Sequence, residues 1–210
     1  MLDSRLRPLI DTPLNAVGRW LAGRGIAADH LTLAGCAIGI AAATAIAFSA
    51  FGLAFLLIAL NRIFDGLDGA VARATAKTDR GAFLDIALDF VVYAAVPLAF
   101  AVADPGRNAL PAAALLASFL TNGAAFLAFA VMAGKRQLTT YAQGEKSLYY
   151  LAGLAEGSET VAFFLFVCLW PAAFVWAAWL FSALCAVSAM ARLVLGWRLL
   201  SDGPPARNPE

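Results

Sequence analysis

Two stretches of this chain that are otherwise apolar enough to sit in a membrane each carry a pair of aspartates at helical spacing. The first reads Asp65-Gly66-Leu67-Asp68-Gly69-Ala70-Val71-Ala72-Arg73, and the second reads Gly81-x-x-x-Asp85-x-x-x-Asp89. A single buried carboxylate in a membrane is costly, and four without a counter-charge are not tolerated. A lone aspartate of this kind is explained by a Ser or Thr bonded to it across the bundle; four at this spacing are not. The fold must bring strong positive charge among them, and a pair of divalent cations is the simplest source.

Composition supports the membrane assignment. Of the 210 residues, 62% are hydrophobic and 14% charged, against about 45–50% and about 25% in a soluble domain. A membrane-crossing helix needs roughly 20 mostly apolar residues. Six segments are predicted, near 31–49, 52–75, 81–103, 109–133, 158–170 and 172–197, the fifth reaching full length only if it extends past Gly157. The expected fold class is therefore all-α and polytopic, with six transmembrane helices behind an N-terminal amphipathic surface helix. The domain reading is an amphipathic segment over 1–30, a six-helix membrane domain over 31–200, and a disordered tail over 201–210 around Gly203-Pro204-Pro205.

Within the first segment, Thr12-Pro13 reads as a helix cap followed by proline at the first helical position. Leu14, Val17 and Leu21 then recur on one face, with Arg19 opposite and Trp20 at headgroup depth. Of the fifteen Lys and Arg, all but Arg62 and Arg107 fall on one side of the predicted spans. That bias puts both termini in the cytoplasm. Arg62, three residues before Asp65, either pairs with an acid or snorkels. Cys36, Cys168 and Cys185 are scattered through apolar runs and read as packing residues. Trp170, Trp176 and Trp179 fit an aromatic belt on the outer side.

Helical geometry puts Asp65, Asp68 and Ala72 on one stripe, with Gly69 beside it, and Asp85 and Asp89 on one face of the next helix. Neighbouring helices joined by a short loop run antiparallel, so the acids lie near the same end. Gly66, Gly69 and Gly81 permit close backbone approach. All-carboxylate ligation suits Mg²⁺, Mn²⁺ or Ca²⁺. Two such ions about 3.5–4 Å apart can clamp a phosphoryl group. Arg73, about two turns beyond Asp65, suits a phosphate at the rim.

Asp65, Asp68, Gly69, Ala72, Arg73, Gly81, Asp85 and Asp89 fill every fixed position of the pattern Asp-x2-Asp-Gly-x2-Ala-Arg, spacer, Gly-x3-Asp-x3-Asp. By these residues the chain resembles the CDP-alcohol phosphatidyltransferases. His30-Leu31-Thr32-Leu33-Ala34-Gly35 is similar to the start of that family's first helix, and the resemblance covers about residues 5–200. The spacer Ala74–Arg80 is one residue shorter than usual for the family, which shortens a connection without rotating either acidic face. Leu60-Asn61-Arg62 and Phe83-Leu84-Asp85-Ile86 resemble a bacterial inner-membrane branch of the family.

The resemblance implies a reaction in phospholipid biosynthesis. An alcohol attacks the lipid-side phosphorus of CDP-diacylglycerol or a similar CDP-lipid, and CMP leaves. It implies Asp65, Asp68, Asp85 and Asp89 as ligands of two Mg²⁺ or Mn²⁺ ions, and Asp89 also as general base. Gly69, Ala72, Arg73 and Gly81 would border the nucleotide, and a homodimer in the bacterial inner membrane is expected. Lys135, Arg136, Lys146 and Arg192 are the cations available to an acceptor that carries a phosphate. No nucleic-acid partner is expected. Two competing readings are a divalent-cation transporter, for which the second half of the bundle lacks matching acids, and a non-catalytic family member serving as a partner subunit.

Overall fold

A computed structural model of the chain describes residues 3–135 and 157–201, with side chains from residue 12 onward except that of residue 199. Arg136, Lys146 and the tail from 202 lie outside the described residues.

All regular structure among the described residues is helical. The elements are α1 (Asp3–Ala22), α2 (Ala28–Ala47), α3 (Phe51–Ala74), α4 (Asp79–Ala103), α5 (Pro105–Lys135), α6 (Gly157–Leu169), a 3₁₀ turn (Pro171–Ala173) and α7 (Phe174–Leu200). Four are long and apolar enough to cross a membrane: α2, α4, α5, and α7 with its preceding turn. The remaining two of the six predicted segments are also helical. One is α3, which carries Arg62, Asp65, Asp68 and Arg73, and the other is the 13-residue α6. The chain is thus a multi-pass membrane protein.

Local chemistry explains where two of the helices begin. Thr78 Oγ1 accepts the Gly81 N–H at 3.0 Å, so α4 starts two residues earlier than its apolar run. Asp104 Oδ1 accepts the Arg107 N–H at 3.2 Å and Pro105 opens α5, the arrangement expected of a cap followed by proline.

The N-terminal helix corrects the sequence reading twice. It begins at Asp3 and runs through Thr12 and Pro13, so Thr12 does not cap it. A proline there removes one helical hydrogen bond, yet the helix runs on through it, and the turns after Pro13 pack against α3. Leu14 lies over Gly66, with Cδ1 2.9 Å from where a Cβ would sit, and Gly18 is so close to Ala70 that a Cβ would meet it at 2.6 Å. Leu14, Asn15, Gly18, Leu21 and Ala22 form the inward strip. Val17 is on the outward side with Trp20, not with Leu14 and Leu21 as the spacing predicted, because the docked face is set by the small residue Gly18. The Arg24 guanidinium covers the Trp20 ring at 3.4 Å from its centroid.

Helix α2 packs on both α3 and α4, α4 on α5, α5 on α7, and α3 on α6. The apolar core takes the first half of α3 and the second half of α4, through Ala54, Ile58, Val96 and Phe100. Phe100 stacks on Phe174 with centroids 4.1 Å apart, and Cys168 and Cys185 are buried in the same core. The antiparallel run of α3 and α4 therefore leaves their other halves, which carry the acids, together at the opposite end from the exposed Trp170, Trp176 and Trp179.

Close approach of α2 to α4 depends on Gly39, where a Cβ would lie 2.6 Å from Val92 Cγ2. Gly39→Val overpacks this contact at a cost of about 1–3 kcal/mol. We expect the melting temperature in detergent to fall by several degrees; an unchanged melt would contradict so tight a contact.

Candidate active site

The connection between α3 and α4 is only residues 75–78, so the last turns of α3 face the first turns of α4. Asp65, Asp68 and Asp85 each present a carboxylate oxygen, and these oxygens lie within 4.8 Å of one another. Asp68 is buried, at 7% exposure; Asp65 is half-buried and Asp85 exposed. Asp89, one turn further along α4, lies outside that triangle but lines the same small cavity of about 20 Å³, together with Thr32, Cys36 and Asn61.

Each acid has a distinct neighbour. Thr32 Oγ1 donates to Asp68 Oδ2 at 2.7 Å. Arg62 forms an ion pair with Asp65, which decides between the two readings of that arginine. The Tyr93 hydroxyl stands 3.4 Å from Asp89 Oδ2, a long contact. Asn61 Nδ2 donates to the Gly35 carbonyl at 2.8 Å, which fixes its amide on the cavity wall.

One guanidinium does not balance four carboxylates. The donors are all oxygens, and their mutual spacing is what two or three ligands around one ion at about 2.0–2.6 Å produce. The residues present therefore fit a hard divalent cation.

A second cavity, of about 560 Å³, adjoins the first and shares Thr32, Asp68 and Asp85 with it. Its volume lies in the range of small-molecule sites, roughly 300–1,000 Å³. Gly69, Ala72, Arg73 and Gly81, singled out from the motif, all line it. A Cβ on Gly69 would lie 3.2 Å from Arg73 Nη1. On its rim, Arg80 pairs with Asp29 at 2.6 Å and ties the start of α4 to the start of α2.

The cations considered for an acceptor phosphate stand elsewhere. Lys135 is exposed at the last residue of α5. Arg192 is buried at 6% exposure, donates to Asn122 Oδ1 of α5, and lies 5.5 Å from the Phe126 ring centroid. It lines a groove of about 490 Å³ between α5 and α7. Neither residue lines the two acidic cavities.

Sequence reasoning gave no role to Thr32, Asn61 or Asn15. Asn61 was within reach of face arithmetic, since it precedes Asp65 by four residues on the same stripe. Thr32 was marked only by being a hydroxyl in a helix of small apolar residues. Asn15 Oδ1 accepts from Arg73 Nε and Nη2, a contact across 58 residues that no local pattern reports.

A family model described as CDP-alcohol phosphatidyltransferase matches residues 26–188. The chain is 46% identical over 202 residues to the inner membrane protein YnjF of Escherichia coli, spanning 96% of this chain and 98% of that protein. It is 32% identical over 120 residues to the archaetidylinositol phosphate synthase of Pyrococcus horikoshii, spanning 57% of this chain and 64% of that one. Two crystal structures of the Mycobacterium tuberculosis phosphatidylinositol phosphate synthase PgsA1 share the fold. One has CDP-DAG bound and the other is a complex with manganese and citrate. Both superpose with a TM-score of 0.65 at 21% identity, over 94% of this chain and 98% and 93% of theirs.

Proposed function

This chain belongs to the CDP-alcohol phosphatidyltransferase family, and we propose that it moves a phosphatidyl group from CDP-diacylglycerol, or a similar CDP-lipid, to an alcohol with release of CMP. The observation that carries the reading is that the larger cavity and the acidic cavity share Asp68 and Asp85. A nucleotide held in the first thus has its diphosphate against the second. The PgsA1 structures with CDP-DAG and with manganese lend support to a CDP-lipid donor and a divalent cation.

Asp65, Asp68 and Asp85, with Asp89 beside them, would hold two divalent cations, Mg²⁺ or Mn²⁺. Cations bound there supply charge neutralisation of the diphosphate and Lewis-acid activation of phosphorus. Gly69, Ala72 and Gly81 leave the volume that a cytidine needs, and Arg73 offers a fork to a phosphate. Asp89 accepts the proton of the acceptor hydroxyl, which is a weak nucleophile at neutral pH. The hydroxyl oxygen bonds to the lipid-side phosphorus, the bond from that phosphorus to the CMP oxygen breaks, and CMP leaves. Excess Lys and Arg on the acidic side support six crossings, both termini and the site facing the cytoplasm, in a bacterial inner membrane. A homodimer is carried over from the family. If the acceptor is phosphorylated, Lys135, Arg136, Lys146 and Arg192 are the candidate partners. The transporter reading lapses with family membership.

The test is CMP release by the full chain in vesicles containing CDP-diacylglycerol, or in parallel a CDP-linked ether lipid, with Mg²⁺ or Mn²⁺. The acceptor panel comprises glycerol 3-phosphate, serine, inositol phosphate and other polyols. CMP release with at least one acceptor, abolished by EDTA, is expected. No release with any acceptor or CDP-lipid would contradict the reading.

A further inference from the structure

We propose that Asn15 of α1 is a positioning residue for the donor's diphosphate: it grips one edge of the Arg73 guanidinium so that the other edge faces the larger cavity. The inference rests on the reading that this cavity takes the CDP-lipid.

Arg73 stands in the last turn of α3 with an exposed side chain. An untethered arginine there would spread over many rotamers, and ordering it on substrate binding would cost entropy. Asn15 Oδ1 accepts from Nε at 3.2 Å and from Nη2 at 3.0 Å. Those two N–H groups lie on one edge of the planar guanidinium. The hydrogens on Nη1 and Nη2 make a second fork, which matches two phosphate oxygens. Nη1 lies over Gly69, 3.2 Å from where a Cβ would sit, so even a methyl at 69 would crowd the fork by a few tenths of an ångström.

Asn15 is itself held in place. It sits between Leu14, which packs on Gly66, and Gly18, which packs on Ala70. The N-terminal helix thereby becomes part of the donor site as well as a surface element. Its amide is also chemically apt. A carboxylate at position 15 would grip Arg73 equally well but would neutralise the charge that attracts the diphosphate, whereas an amide oxygen aligns the cation and leaves its charge intact.

The experiment titrates the full-length protein in detergent with CDP-diacylglycerol in the presence of Mn²⁺, and separately with Mn²⁺ alone. Asn15→Leu should weaken CDP-diacylglycerol binding about tenfold, the scale of a hydrogen bond to a charged group. Mn²⁺ affinity should stay within about twofold. In an Arg73→Ala background the same substitution should change lipid affinity by less than about twofold, since its partner is gone. Asn15→Ser, which shortens the polar group out of reach of Arg73 without adding apolar bulk, should weaken CDP-diacylglycerol binding to a similar extent. Unchanged lipid affinity in Asn15→Ser overturns the proposal, whatever Asn15→Leu does. So does an equal loss with Arg73 absent, or a parallel loss of Mn²⁺ affinity, either of which marks a merely structural role. A wild-type protein that binds Mn²⁺ but no CDP-diacylglycerol overturns the donor reading and the proposal with it, and is recognised because the wild type itself is blank.

Discussion

Asp68→Asn is expected to reduce CMP release by at least about a thousandfold, while the protein still folds. Asp68 is the buried member of the acidic triangle and lines both cavities. Asparagine matches its size, and its amide oxygen can still accept the Thr32 hydroxyl, so packing is preserved. What is lost is one negative charge and one anionic oxygen ligand. A deficit of about 4 kcal/mol in transition-state charge stabilisation corresponds to about a thousandfold in rate. The stability signature should run the other way. Without metal, the native protein holds like charges together, so removing one should leave the melting temperature unchanged or raise it. The rise in melting temperature that Mn²⁺ gives the wild type should shrink or vanish. Near wild-type CMP release by this variant would contradict the assignment of Asp68.

Asp89→Asn should separate chemistry from binding. Asp89 lies one turn deeper than the triangle, so the three remaining carboxylates and the nucleotide wall are intact in the variant. Removing a general base costs about 10²–10⁴-fold. Turnover at saturating CDP-diacylglycerol should fall by that amount, with affinity for CDP-diacylglycerol within a few-fold of wild type and Mn²⁺ still bound, more weakly, by the triangle of Asp65, Asp68 and Asp85. If turnover is retained, another group takes the proton. If Mn²⁺ binding collapses together with turnover, Asp89 is chiefly a ligand.

Much of this site was legible because its chemistry violates the rule of its surroundings. Carboxylates in apolar helices carry a large energetic penalty, so their positions report function, and helical periodicity then places Asp65 with Asp68 and Asp85 with Asp89. Gly69, Ala72 and Gly81 were marked by the resemblance of the motif to the family pattern, not by periodicity, and all three line the larger cavity. What escaped was tertiary. The inward face of α1 is chosen by the contact of Gly18 with Ala70, a feature of α3 that the hydrophobic stripe of α1 does not encode. This is why Val17 was placed on the wrong side and Asn15 was given no role. The start of α1 escaped because Thr12-Pro13 is a strong local signal for a helix start, whereas the helix is continuous through it from Asp3. Arg192 was correctly singled out as lying inside its helix, but its burial against Asn122 and Phe126 depends on how α7 meets α5.

The central claim is that Asp65, Asp68, Asp85 and Asp89 coexist as anions because divalent cations bind among them. Crystals grown with Mn²⁺ and measured for anomalous scattering test it most directly. The account predicts anomalous peaks between α3 and α4, at coordination distance from oxygens of Asp65, Asp68 and Asp85. A well-diffracting crystal with no peak between those helices would contradict it.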